Sequence, residues 1–167
     1  MNYKEIVLKK LLCENLISKI LRTKTLIFAY DTSEDEKNFN FAVYHPLEHK
    51  IIEELASGFE FFPDEYKEFL SECNGLFLYG GNFYLYGKAF LEKGMTWEEQ
   101  IYQPYDLVEE NEDPPFKVNP NYFYFGGTPN SIFVYERNGV ILEISRKSKK
   151  QINIFSDLKT LILNFTE

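Results

Sequence analysis

His45-Pro46-Leu47-Glu48-His49 is the one stretch whose residue types and spacing match a catalytic pattern. It has the H-x-x-E-H form, in which two imidazoles share a helical face, a carboxylate between them acts as base, and a further ligand comes from downstream. Pro46 argues against that use. A proline pushes the preceding residue out of the helical region, so His45 is expected ahead of a helix that Pro46 opens. A metal-dependent hydrolase working through His45, Glu48 and His49 is therefore the least favoured function.

Other chemistry is equally thin. The chain has no glycine-rich loop ending in Lys-Ser/Thr and no G-x-S-x-G elbow. It has no paired C-x-x-C ligands, and its two histidines both lie in the doubtful motif. Gly80-Gly81 and Gly126-Gly127 read as turns between strands rather than phosphate cradles. Carboxylates are too abundant for any one glycosidase-like pair to stand out. The expectation is a protein that is not an enzyme, with no catalytic residue, no cofactor and no metal.

The elements that position these residues follow from composition and period. The chain of 167 residues is long enough for one domain with a sizeable core. Hydrophobic residues make up 44% and aromatics 17%, which argues against disorder. Twelve tyrosines exceed what a core accommodates easily, because each buried hydroxyl needs a partner, so some are expected on an open sheet face or a contact surface. A net charge of −8 argues against nucleic acid and is compatible with a basic protein partner. Cys13 and Cys73 are expected as reduced core thiols on apolar helix faces. Charged residues interrupt the N-terminal apolar pattern, so neither a signal peptide nor a membrane span is expected, and the default location is cytoplasmic.

Along the chain, an amphipathic helix is expected over 3–22, a β-hairpin over 25–44 around the acidic loop 31–38, and a second helix from about Leu47 to Gly58. The stretch 62–86 reads as a helix opened by Pro63, with Phe62, Tyr66, Phe69, Leu70 and Cys73 on one face. Asn74-Gly75 stops it, and an aromatic strand follows over 82–86. Thr96-Trp97-Glu98-Glu99 fits a capping box for a short helix to about Tyr102. Residues 106–113 carry five carboxylates with no positive charge and suggest a loop or a single helical turn. Strands are expected at 122–125 and 132–136, a hairpin at Asn138-Gly139 with positive φ at both turn positions, and a last strand at 152–155. The basic loop 146–150 precedes that strand. Ser156 then caps a closing helix that turns Leu158, Leu161, Ile162 and Phe165 inward. Together these give one α+β domain over 1–167, with a single antiparallel or mixed sheet of about five to six strands and helices packed against it.

The order of Pro63, Tyr66, Phe69, Leu70, Asn74, Gly75 and then Leu85-Tyr86-Gly87 resembles the SMI1/KNR4 family, also called the SUKH superfamily. YFYFGGTPNSIFVYE and the closing FSDLKTLI resemble its later strands and C-terminal helix, so the likeness covers roughly 47–165. Residues 1–46, the N-terminal helix and hairpin, lie outside it. The resemblance implies a small α+β domain without catalysis. Bacterial members look largely like immunity proteins that neutralise toxins, often nucleases, by stoichiometric binding; fungal relatives act as scaffold-like regulators of cell-wall synthesis and signalling.

The expected partner is thus a protein, a basic toxin domain, with no nucleic acid and no membrane, and the chain itself a monomer or weak homodimer. The residues themselves suggest where contact falls. The acidic run Asp106, Glu109, Glu110, Glu112 and Asp113 reads either as a solvated, self-repelling loop or as a docking surface flanked by Trp97, Tyr102 and Tyr105 as aromatic anchors, which Tyr84 and Tyr86 join if their strand turns them outward.

Overall fold

The computed structural model describes residues 1–33 and 37–167; the centre of the expected acidic loop 31–38 lies outside them. Among the described residues the architecture is α+β, with six α-helices and a single sheet of nine strands. The strands are β1 (Leu16–Ile20), β2 (Leu26–Tyr30), β3 (Phe41–Val43), β4 (Leu76–Leu78), β5 (Phe83–Leu85), β6 (Phe123–Gly127), β7 (Ser131–Tyr135), β8 (Ile141–Ser145) and β9 (Gln151–Phe155). They lie in sequence order and every neighbouring pair is antiparallel. The sheet is a continuous meander, larger than the five to six strands expected.

The helices are inserted around it: α1 (Tyr3–Leu12) before β1, α2 (His49–Ser57) and α3 (Asp64–Glu72) between β3 and β4, α4 (Trp97–Ile101) and α5 (Leu107–Glu112) between β5 and β6, and α6 (Leu158–Thr166) at the end. Side chains alternate across a strand, so each strand feeds two faces. One face meets α1, α3 and α6. There the ring of Tyr66 lies 5.3 Å from Phe123 and 5.1 Å from Phe125, and Phe165 of α6 lies 5.1 Å from Phe83 and 5.3 Å from Phe133. Glu65, in the first turn of α3, ties this layer together. It accepts from the hydroxyls of Tyr3 and Tyr135 at 3.3 and 2.7 Å and from the backbone N–H of Leu158 at 3.2 Å.

Several local expectations are corrected. The first helix ends at Leu12, closed at its start by an Asn2–Glu5 capping box, and Leu16–Ile20 of the expected helix is strand β1. Leu16, Ile17 and Ile20 fit a helical face, but their β-prone run is drawn into a five-residue pairing with β2. The turn between them carries Lys24 at φ 64, with no glycine to announce it. Cys13 consequently caps α1 at the surface, while Cys73 is fully buried and burial pushes its thiol pKa up. Pro46 does not open α2; Glu48 is its N-cap and His49 its first residue. Pro63 is the N-cap of α3 rather than its first residue. Asp157, not Ser156, caps α6, accepting from Thr160 N at 2.7 Å. At Asn138-Gly139 only Gly139 has positive φ, with its N–H on Glu136 O at 3.0 Å.

Candidate partner-binding surface

The second face of the sheet carries the residues singled out for contact. It runs across the strands as Ile27, Ala42, Phe77 and Tyr84, which face one another in register, and continues through Tyr86 and Tyr124, whose hydroxyls hydrogen-bond to each other. Among the described residues α4, α5 and the connection between them cross it, with Tyr105 over Tyr84 and Tyr86.

The stretch 74–87 anchors that crossing. Asn74 is buried and acts as more than a helix stop: its amide donates to Lys88 O at 2.7 Å and accepts from Lys88 N at 2.6 Å. Gly75 has φ 94, and a Cβ there would lie 2.7 Å from Leu85 O. At Gly87 a Cβ would lie 2.2 Å from Asn74 O, so no side chain fits. Gly87 donates to Tyr105 O at 3.0 Å and accepts from Leu107 N at 2.7 Å, which threads the α4–α5 connection alongside β5.

α4 begins with the expected box. Thr96 Oγ1 accepts from Glu99 N at 3.2 Å and Glu99 Oε2 accepts from Thr96 N at 3.1 Å. The same buried carboxylate takes both Nε and Nη2 of Arg22 at 2.8 Å, and Lys19 Nζ meets Glu98 at 2.6 Å. Thus β1 and its turn pin α4 to the sheet. The hydrogen bond from Arg22 is the main reason the Glu99 carboxyl sits below its ordinary pKa.

α5 is a six-residue helix over most of the acidic run, a little more than the single turn expected. Asp106 is its N-cap, accepting from Val108 N at 3.0 Å, Glu109 N at 3.2 Å and Ala89 N at 2.9 Å. Three backbone donors on a short helix and its neighbouring loop make Asp106 a structural residue. Its orientation leaves Glu109, Glu112 and Asp113 exposed. Among the described residues none of the three has a basic group within salt-bridge distance.

The structure therefore divides the expected contact residues. Trp97 is 76% exposed and Tyr105 is 47% exposed, joined by Ile101 and Val108 on the same two helices and their connection. Tyr102 is half-buried against Phe39, rings 6.5 Å apart. Tyr102, Tyr105, Ile101, Phe39 and Phe77 line a groove of about 330 Å³. Tyr84 and Tyr86 do not reach the surface. Their strand does turn them to this face, but Tyr105 covers them, its ring 5.2 and 6.3 Å from theirs.

What lies beneath Tyr105 was not foreseen from the sequence. Arg146, expected in a basic loop, turns inward. Its Nη2 donates to Tyr84 Oη at 2.6 Å, and its Nε reaches the carbonyls of Thr128 and Ser131 at 3.2 and 3.3 Å. Tyr84 Oη in turn donates to Thr128 O at 3.1 Å. Glu110 is half-buried beside this cluster, and burial raises its carboxyl pKa against the opposing pull of Tyr86 and Arg146. The available signal was the alternation in Phe83-Tyr84-Leu85-Tyr86, which separates phenylalanine and leucine on one face from two tyrosines on the other.

His45, Glu48 and His49 lie at the surface, with His45 before α2. His45 lines a second cleft of about 330 Å³ with Tyr44, Asn74 and Gln103. Burial, then Lys24 and Lys4, lower the His45 pKa from 6.5. Among the described residues no three His, Cys, Asp or Glu side chains are grouped to hold a metal ion, and no helix is long and apolar enough to cross a membrane. A scan against protein-family models, a search of curated proteins and a search of solved structures each give no match.

Proposed function

We infer that this chain is a non-catalytic protein-binding module, of the immunity type suggested by its SMI1/KNR4-like motifs, that neutralises a basic toxin domain by one-to-one binding. The observation that carries this reading is the surface of α4 and α5. Exposed Trp97 and Ile101 on α4, Tyr105 in the α4–α5 connection and Val108 on α5 lead in sequence to Glu109 and Glu112 of α5 and Asp113 at its end, three acids with no cationic partner among the described residues. Aromatic anchors beside uncompensated like charge suit a basic partner, because the charges steer encounter while the rings supply most of the contact energy. Capping and the Arg22–Glu99 pair hold this surface rigid before binding, which limits the ordering cost.

Titration calorimetry against any basic toxin domain whose gene is found to neighbour this one tests the reading. One-to-one binding is expected. The double variant Glu109→Lys, Glu112→Lys should weaken it by about tenfold or more, chiefly through association rate. Unchanged affinity in that variant would remove the acidic surface from the interface.

A further inference from the structure

The nine-stranded meander ends in two open edges, and they are treated very differently. Exposed edges are templates for pairing with another chain, and charge within the strand is a common protection. β1 has that protection: Lys19 stands in the strand and is tied to Glu98 of α4. β9, Gln151-Ile152-Asn153-Ile154-Phe155, contains no charged residue. Ile152 and Ile154 are 52% and 62% exposed. Leu163, on the helix that packs against this strand, is 41% exposed as well.

Part of the β9 backbone is open as well. Arg146 N donates to Asn130 O and Ser145 N to Lys150 O, so in β8 even-numbered residues address β7 and odd-numbered residues address β9. Asn153 and Phe155, opposite Glu143 and Ile141, therefore turn their N–H and C=O groups inward, and Ile154 turns its own outward. The register shift between Glu143 and Ile144 leaves Ile152 with no partner on β8. Asn153 is held in place by its amide, which donates to the buried Glu143 at 2.7 Å.

We propose that β9 pairs antiparallel with β9 of a second copy of this chain, about a two-fold axis at Asn153, to give a homodimer with a continuous eighteen-stranded sheet, twice the nine of one chain. The sequence of the edge is what selects a second copy over a foreign strand. Ile152-Asn153-Ile154 is palindromic about Asn153, so this register sets each Ile154 beside Ile152 of the other copy and opposes the two asparagines. Continued past the ends of β9, the same register brings Lys149 of one copy towards Asp157 of the other. A two-fold interface of this kind is self-complementary and closed, so it stops at two. The contact is one strand wide, which places it among weak, concentration-dependent interfaces. It lies at the opposite end of the meander from β1, whose neighbour α4 carries Trp97, so two copies can each hold a partner.

Sedimentation equilibrium between about micromolar and about millimolar chain tests this. The mass should rise from 19.8 kDa towards twice that value, and Ile154→Lys, at a surface position, should hold it at 19.8 kDa with an unchanged circular dichroism spectrum. A single species of 19.8 kDa throughout, or a dimer that survives Ile154→Lys, overturns the proposal. In a Cys13→Ser background, Asn153→Cys checks the register. Opposed residues of a non-hydrogen-bonded pair have Cα atoms about 4.5 Å apart, within disulfide reach, so mild oxidation should give a covalent dimer. A dimer that forms without that cross-link overturns the two-fold register.

Discussion

Glu110 shows how a charge run can hold residues of quite different character. Glu109 and Glu112 point to solvent, whereas Glu110 is drawn against Tyr86 and Arg146, and burial raises its pKa above 4.5. Folding therefore favours its protonated form. The stability this contributes is complete below the unfolded pKa and is lost as pH rises through the folded one. Glu110→Gln should raise the melting temperature at neutral pH, and the gain should vanish below about pH 4, where the native carboxyl is already neutral. Thermal melts of both proteins across that range check the sign. Asn74 has a comparable split identity: its place at a helix end suggests a cap, yet its side chain clamps the backbone at Lys88.

Among the elements, α4 is the most dependent on local chemistry. Five residues are too few for a self-supporting helix, so the box and the bidentate Arg22 must supply what propensity cannot. Thr96→Ala removes the acceptor for Glu99 N and should cost about 1 kcal/mol in urea unfolding, with the sheet intact. Acid acts on the same element. The Glu99 pKa is depressed, so its contribution is present above the unfolded value and is lost as pH falls through the folded one. α5 depends instead on Asp106, and replacing that residue as a test of binding would confuse loss of contact with loss of the helix.

At the scale of the molecule, the meander puts every strand beside its neighbours in sequence, while the helices cover its two faces unequally. β6, β7 and most of β8 are buried on both sides, β1 is only partly buried, and β9 is exposed over four of its five residues. Amide exchange on dilute protein should therefore be slowest in β6–β8 and fastest in β1 and β9, with no single global rate. Slow exchange at the two edges under those conditions would mean that stability is spread evenly, contrary to the distribution of burial.

Much of this was legible in the order of residues, and the pattern of what was not has a physical cause. Features closed within a few residues were readable: the Thr96–Glu99 box, the helix on Tyr66, Phe69 and Leu70, the hairpin at Gly139, the closing helix. So was the α+β class, since periods of 3.6 and 2 alternate along the chain. The segment 16–20 was not, because its spacing fits a helix and only pairing with β2 makes it a strand. Nor were the burial of Tyr84 and Tyr86, the inward turn of Arg146 or the clamp at Asn74. Each depends on partners between 14 and 62 residues away, at Lys88, Tyr105, Thr128 and Arg146. Outside segments such as 16–20, local sequence determined the type of element and which residues share a face. Which face is covered, and which edge stays open, only the tertiary structure decided, because burial and register are settled by contacts that no local window contains.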